Sequence, residues 1–276
     1  MKLNSPIFAI LLLSASTAAA QPGGEVGPPP TGPASPMPPS PPPAPSDSVE
    51  RGVLEDANSG RTWLAPTALT APAGTFSFSD WQLFWVGAGY SPTDKLSLSA
   101  STMIPLTSDF PIIIFATGKL QLLDAGRLKV AGHAGFLFFN LNESDVDGDE
   151  TFTAASLGGV ATYCLDDDCH SVLNGFIAGG FALEYAADQT SVPFGVSAAY
   201  IQRLTRMVKL ILEVDSGFVA GEFDAAADGF LGWYGVRFTS KNIGVDLGLV
   251  KLFCDGCDSE FLPLGYPVVN FTYRSL

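Results

Sequence analysis

Four cysteines, two histidines and one run of alternating carboxylates are the residues of this chain whose types and spacing could do chemistry. The cysteines come as two close pairs, Cys164 with Cys169 and Cys254 with Cys257. In an exported chain the default for such pairs is two local disulfides, Cys164–Cys169 and Cys254–Cys257. A redox reading of Cys254-Asp-Gly-Cys257 lacks the helix start that would depress a thiol pKa. A zinc reading of Cys164, Cys169, His170 and Asp166–Asp168 lacks a second spaced pair to converge on it. Asp145, Asp147 and Asp149, followed by Glu150, alternate as calcium-loop ligands do. An EF-hand needs Gly at its sixth and Glu at its twelfth place; here those places hold Glu150 and Ser156. What stays open is a looser divalent-cation site, able to bridge to anionic lipid, or a plain solvated acidic loop. No other metal and no cofactor is expected.

His133 could serve a serine as a base, but no Gly-x-Ser-x-Gly elbow accompanies it. It reads as a satisfied interior histidine, and His170 as a solvated turn residue. No catalytic residue is assigned, and the chain is expected to be non-enzymatic.

The elements that must position these residues have a period of two. In Phe110–Phe139, apolar or small residues take every second place: Phe110, Ile112, Ile114, Ala116, Gly118, Leu120, Leu122. After a break at Asp124-Ala-Gly126 the alternation resumes at Leu128. Successive side chains of a strand point to opposite faces, so this is a hairpin. Its arms, roughly 11–13 residues each, exceed the usual 5–6 of soluble strands and suit tilted strands crossing a bilayer. Applied to the whole chain, the same parity puts Lys119, Lys129, His133, Arg203, Lys209, Glu213, Asp215, Arg237, Asp246 and Arg274 on one side. In a membrane barrel that side is the lumen.

Composition agrees. The chain is 47% hydrophobic, only 15% charged, and carries a net charge of −14. Yet no stretch supplies the roughly 20 apolar residues of a spanning helix. The acidic balance excludes nucleic acid as a partner, because phosphates need basic surface. Residues 1–20 read as a secretory signal: Lys2, an apolar core at Ile7–Leu13, and Ala18-Ala-Ala20 as a cleavage site. Residues 21–60 read as a periplasmic tether, Pro-rich through Ser46 and unable to bury a core. Residues 61–276 read as the barrel.

Within it, strand signals run over 61–70, 75–90 (with a bulge near Ser79-Asp80), 95–104, 110–122, 128–140, 151–163, 171–185, 194–204, 208–218, 230–238, 243–253 and 268–276. The count is about twelve, with ten the alternative. Connections alternate strictly. Those at 91–94, 124–127, 164–170, 205–207 and 239–242 are short; the intervening ones tend to be longer. Short turns are periplasmic in outer-membrane barrels, so both barrel termini would lie there. Charge sorts likewise: Lys95, Arg127, Arg203, Arg206 and Lys241 sit near the short turns, while most carboxylates sit in the long loops. Trp81, Trp85, Tyr90, Tyr163, Tyr185, Tyr200, Tyr234 and Tyr273 recur at strand ends, as interfacial girdles do.

Residues 61–68 (RTWLAPTA), 74–80 (GTFSFSD), 83–85 (LFW), 89–94 (GYSPTD) and 96–98 (LSL) carry a resemblance. Over about residues 58–139 the chain resembles a group of uncharacterised bacterial outer-membrane-like β-barrel proteins. That resemblance implies a barrel and supplies no catalytic residues. Ser91-Pro92 departs from the group's usual Gly in the turn. Leu276 departs from the common aromatic last residue of outer-membrane proteins, whose biogenesis depends on barrel-assembly machinery.

The expectation is therefore an all-β, up-and-down antiparallel transmembrane barrel in the outer membrane, with lipid around it. Its function would be passive passage of small solutes or a structural role. The rivals are a soluble exported β-barrel or sandwich binding a hydrophobic ligand, and a barrel-embedded lipid hydrolase.

Overall fold

The computed structural model describes residues 53–104, 111–141, 150–184, 189–191, 193–219, 229–254 and 264–275. Its strands are β1 (Phe76–Trp81), β2 (Trp85–Thr93), β3 (Leu96–Met103), β4 (Ile112–Ala125), β5 (Leu128–Leu141), β6 (Glu150–Cys164) and β7 (Val172–Glu184). They continue with β8 (Gln189–Ser191), β9 (Pro193–Arg203), β10 (Val208–Val219), β11 (Phe230–Thr239), β12 (Ile243–Phe253) and β13 (Tyr266–Ser275). Each pairs antiparallel with its neighbour in sequence, except that β7 passes over the short β8 to reach β9. β1 pairs with β13, from Phe76↔Ser275 to Trp81↔Asn270. That pairing closes twelve strands into an up-and-down barrel and leaves no edge in the ring.

The faces are inverted relative to a soluble protein. On β10, Lys209, Ile211, Glu213 and Asp215 are buried, while Leu212 and Val214 are more than 40% exposed. Leu120, Leu157, Ile177, Phe181, Leu247 and Phe271 are likewise exposed on other strands. Apolar side chains facing out and ionisable ones facing in are what a lipid surround requires.

Four expectations are corrected. Residues 61–70 are not a strand, and residues 53–60 are not part of a tether. Both lie inside the barrel as one folded segment, whose only ladder contact is the isolated bridge Arg61↔Pro66. Pro66 cannot donate to a ladder, which is why this run does not extend. Residues 75–90 are not one bulged strand but a hairpin. Gln82 and Leu83 adopt φ of 56° and 68° and turn β1 into β2, so the parity shift near Ser79-Asp80 marked a turn. Irregular register occurs instead between Tyr90 and Thr93 and between Gln121 and Leu123. The two changes offset each other, and the strand number is unaltered. Trp81 and Trp85, expected in a girdle, face the lumen: Trp81 packs edge-on against Trp233 at 6.1 Å, and the Trp85 indole donates to Ser101 Oγ at 3.0 Å. Tyr90, Tyr163 and Tyr273 are exposed on the outer face.

Candidate functional site

The inner wall and the segment 53–70 are built for each other. The segment begins with a helical turn at 53–55 near the short-turn rim. There Arg274 donates to the Leu54 carbonyl (2.8 Å) and the Ala57 amide donates to the Ser240 carbonyl (3.1 Å). It descends, reverses at 62–65, where the Thr62 amide donates to the Ala65 carbonyl (2.9 Å), and returns to the same rim. At that rim Thr70 Oγ1 donates to the Asp94 carbonyl and the Ala73 amide to the Asp94 carboxylate.

Four groups of contacts hold it. Lys209 Nζ donates to Asp56 Oδ2 at 2.6 Å and Thr239 Oγ1 to Asp56 Oδ1 at 2.9 Å. Burial alone would raise the Asp56 carboxyl; the Lys209 and Arg237 cations overcome that and hold it well below its ordinary value. Arg237 makes a two-pronged pair with Asp246 (2.7 and 3.2 Å) and donates to the carbonyls of Asn58, Arg61 and Thr62 (3.0, 3.1 and 2.8 Å). Asp246 Oδ2 also accepts from Asn58 (3.0 Å) and Asn270 (2.8 Å).

At the reversal, the Glu213 carboxylate accepts the backbone N–H groups of Trp63 (2.5 Å), Leu64 (3.2 Å) and Ala65 (2.7 Å). Three amides converging on one carboxylate satisfy it without a cation. On the opposite strand set, Lys119 Nζ donates to the carbonyls of Gly60, Thr67 and Leu69 (3.0, 2.8 and 2.5 Å), matching the three donors of an ammonium. Thr162 accepts from the Ala68 amide (2.7 Å), and Asn174 donates to the Pro66 carbonyl (2.9 Å).

Apolar packing completes the fit. Trp63, 1% exposed, stacks on Trp233 at 6.4 Å. It lies against Gly235 and Gly248, where an added Cβ would come within 2.8 and 2.5 Å of its ring. Burying such an indole is worth about 2–3 kcal/mol, at the upper end for large side chains. Ala65 and Ala68 pack with Ala131, Val160, Phe176 and Ala178.

The structure thus brings Lys119, Lys209, Glu213, Arg237, Asp246 and Arg274 onto one segment. Lys129 is buried and pairs with Asp124 on its own hairpin. Arg203 sits at the rim, 3.5 Å from Glu55, which also lies 3.5 Å from His170. His170 is buried rather than solvated, and burial lowers its pKa. Asp215 is buried next to Glu213 on β10, and its Oδ2 has no hydrogen-bond partner. His133 is buried with its ring edge on Phe176 at 5.3 Å. It is not satisfied, because its Nδ1 has no hydrogen-bond partner.

Cys164 and Cys169 are bridged, with Cα atoms 4.6 Å apart. Asp166, one of three successive aspartates in the turn they close, accepts the amides of His170 and Ser171 (2.8 Å each). Cys254 is disulfide-bonded; position 257, and Asp145, Asp147 and Asp149, lie outside the described residues. Among the described residues no group of three or more His, Cys, Asp or Glu side chains could hold a metal.

Sequence reasoning missed Asp56, Asn58 and Trp63. The signal was there in part: one aromatic, Trp63, and two carboxylates, Glu55 and Asp56, in a stretch otherwise read as tether and weak strand. It also missed Thr162 and Asn174, neutral residues on the inward parity.

Beside the segment lies a cavity of about 370 Å³. Its outer wall is small and hydroxylated: Ser77 and Ser79 of β1, Gly87, Gly89 and Ser91 of β2, Ser97, Ser99 and Ser101 of β3, and Thr117 of β4. These hydroxyls bond one another, as in Ser91–Ser97 (3.1 Å) and Ser99–Thr117 (2.5 Å).

No family model and no curated protein matches the chain. Among solved structures it is similar to OmpTdeltaL8, a loop L8 deletion mutant of OmpT, an outer membrane protein of Vibrio cholerae. The identity is 14% and the TM-score 0.41, over 69% of this chain and 62% of that one, so the match spans about three fifths of its length. It is also similar to LpxR from Salmonella typhimurium, with 10% identity and a TM-score of 0.41, over 72% of this chain and 99% of that one. These likenesses concern the fold alone. The expectation of a non-enzymatic chain is withdrawn, because a barrel fold shared with these two proteins gives no ground for it. The chain is an outer-membrane-type β-barrel protein whose lumen is occupied by its own N-terminal segment.

Proposed function

We propose that this chain is a gated conduit for small solutes in the outer membrane, closed from the periplasmic side by residues 53–70. The observation that carries this reading is the Glu213 carboxylate accepting three successive amides of the segment deep in the lumen. A wall made only to be filled would not need a separate segment on charged clasps. Side chains of its own strands fill a narrow barrel, whereas twelve strands leave room between that case and an open channel. The short-turn rim, where β1 starts and β13 ends, is assigned to the periplasm by the habit of such barrels. This orientation joins the segment to a periplasmic Pro-rich tether behind a cleaved signal at residues 1–20. The exposed apolar band supports a lipid surround over the soluble rival.

Single-channel recording in planar bilayers tests this. The mature chain is expected to pass little current. A chain lacking residues 53–70, shown to be folded by its heat-modifiable gel shift, is expected to give stepwise currents. Glu213→Ala in the intact chain is expected to flicker between the two. A silent folded deletion, or a wild-type barrel already as conductive as the deletion, would overturn the reading.

A further inference from the structure

The cavity beside the seated segment has an unusual lining. Three cationic side chains border it: Arg61 from the segment, Lys119 from β4 and Arg274 from β13. Among the described residues no Asp or Glu borders it. Among the described residues, none of the three is in an ion pair; Lys119 is held by carbonyls, Arg274 by the Leu54 and Lys241 carbonyls, and Arg61 by Thr272 Oγ1 (3.0 Å) with its guanidinium 5.4 Å from the Trp81 ring centre. The nearby lumen carboxylates are already engaged: Asp56 by Lys209, Asp246 by Arg237, Glu213 by the segment's amides. Cationic charge is therefore left over on the cavity side of the segment.

A second, independent feature points the same way. Three buried polar atoms of residues lining this cavity have no hydrogen-bond partner: Arg274 Nε, Trp63 Nε1 and His133 Nδ1. Their residues are 1%, 1% and 4% exposed. Buried polar groups are seldom left so. Two of these atoms can only donate and the third can do either. What would satisfy them is a set of acceptor oxygens. The remaining wall sets serine and threonine hydroxyls, which both donate and accept, beside apolar faces from Leu69, Trp81, Phe84, Trp85 and Phe115.

We infer that this cavity binds a small hydroxylated carboxylate, of the size and chemistry of a sugar acid. The charge is answered by the field of Arg61, Lys119 and Arg274, the hydroxyls by the serine wall, and the carbon skeleton by the tryptophan faces. Its volume of about 370 Å³ lies near the lower end of small-molecule sites, which run from about 300 to 1,000 Å³. Gly87 and Gly89 keep the wall thin. A Cβ at either would stand 3.0 Å from Ser79 Oγ or 2.6 Å from Ser77 Oγ. The inference requires the segment to be seated, and it does not require the barrel to conduct.

Of the chain's four tryptophans, Trp63, Trp81 and Trp85 border the cavity, so intrinsic fluorescence reports on it. The full mature chain in detergent would be titrated with gluconate, glucose and glucosamine at matched ionic strength, with calorimetry in parallel. Gluconate is expected to saturate, with glucose at least tenfold weaker and glucosamine silent. Ser99→Asp places a countercharge on the open part of the wall and is expected to weaken gluconate at least tenfold; Ser99→Asn keeps the size without the charge and is expected to bind as wild type. Glucose equal to gluconate, neither heat nor fluorescence change with any probe, or a Ser99→Asp chain that still binds gluconate fully would overturn the inference. A barrel that never conducts yet binds gluconate would sink the conduit and leave this site standing.

Discussion

Strands β10–β13 and strands β1–β3 face the same seated segment and treat it differently. From β10–β13 come Lys209, Glu213, Arg237, Thr239, Asp246 and Arg274, each bonded directly to the segment or to the side chain that is. Among the described residues no hydrogen bond joins a side chain of β1–β3 to it. Those strands are shorter, at 6, 9 and 8 residues, and apart from Trp81 and Trp85 beside their turn, the inward positions that line the cavity are Ser and Gly. One side supplies position through charge; the other supplies volume through small size. The cost of taking a charge out of water explains the division. Buried charges must be paired or well hydrogen-bonded, so they collect where the segment offers carboxylates, carbonyls and amides. Where the segment stands away, only neutral hydroxyls that can satisfy one another are affordable.

The contrast can be broken most sharply at Asp246. Asp246→Ala strips buried Arg237 of its two-pronged partner, leaving Asp56 at 3.7 Å as its nearest carboxylate, and frees Asn58 and Asn270. It should destabilise the seated state by about 3–5 kcal/mol, read as a lower denaturant midpoint and protease cleavage within 53–70. Acid comes next. The Asp56 carboxyl titrates lower when seated than when free. Its contribution is therefore complete above the ordinary carboxylate value of about 4 and is lost as pH falls from there toward the seated value. Conductance or cleavage of the segment should rise only under strong acid, and Asp56→Asn should abolish that rise. Lys119→Met removes the main grip on the β4 side and strands the carbonyls of Thr67 and Leu69, while that of Gly60 keeps the Thr67 amide. A loss of about 1–3 kcal/mol is expected, with the β10–β13 contacts keeping the segment's first half in place by hydrogen exchange. Smallest is Ser97→Ala on the permissive wall, expected within about 0.5 kcal/mol of wild type. A large effect there would erase the distinction between the two sides.

Most of the barrel was legible in the chain because alternation is local. Lys209-Leu-Ile-Leu-Glu213 declares its two faces without knowing its neighbours. The hairpin at β4–β5 was readable for the same reason, with its turn at Gly126, whose φ is +64°. The first strands were not, because Gln82-Leu83 carries no Gly, Pro or Asn to announce a turn. The site was half legible. The inward charges could be assigned by parity, and their partners could not. Arg237 and Asp246 face each other across one ladder step, which register reveals; Asp56 and Lys209 are 153 residues apart in sequence, which nothing local can.

The sequence by itself determined the strand period and the face each side chain takes, since both depend on neighbours one or two positions away. Only closure of β1 on β13 decided that a lumen exists and that residues 53–70 fill it. That choice rests on desolvated charges from strands distant in the chain meeting one short segment, and such a balance exists only once the ring has formed.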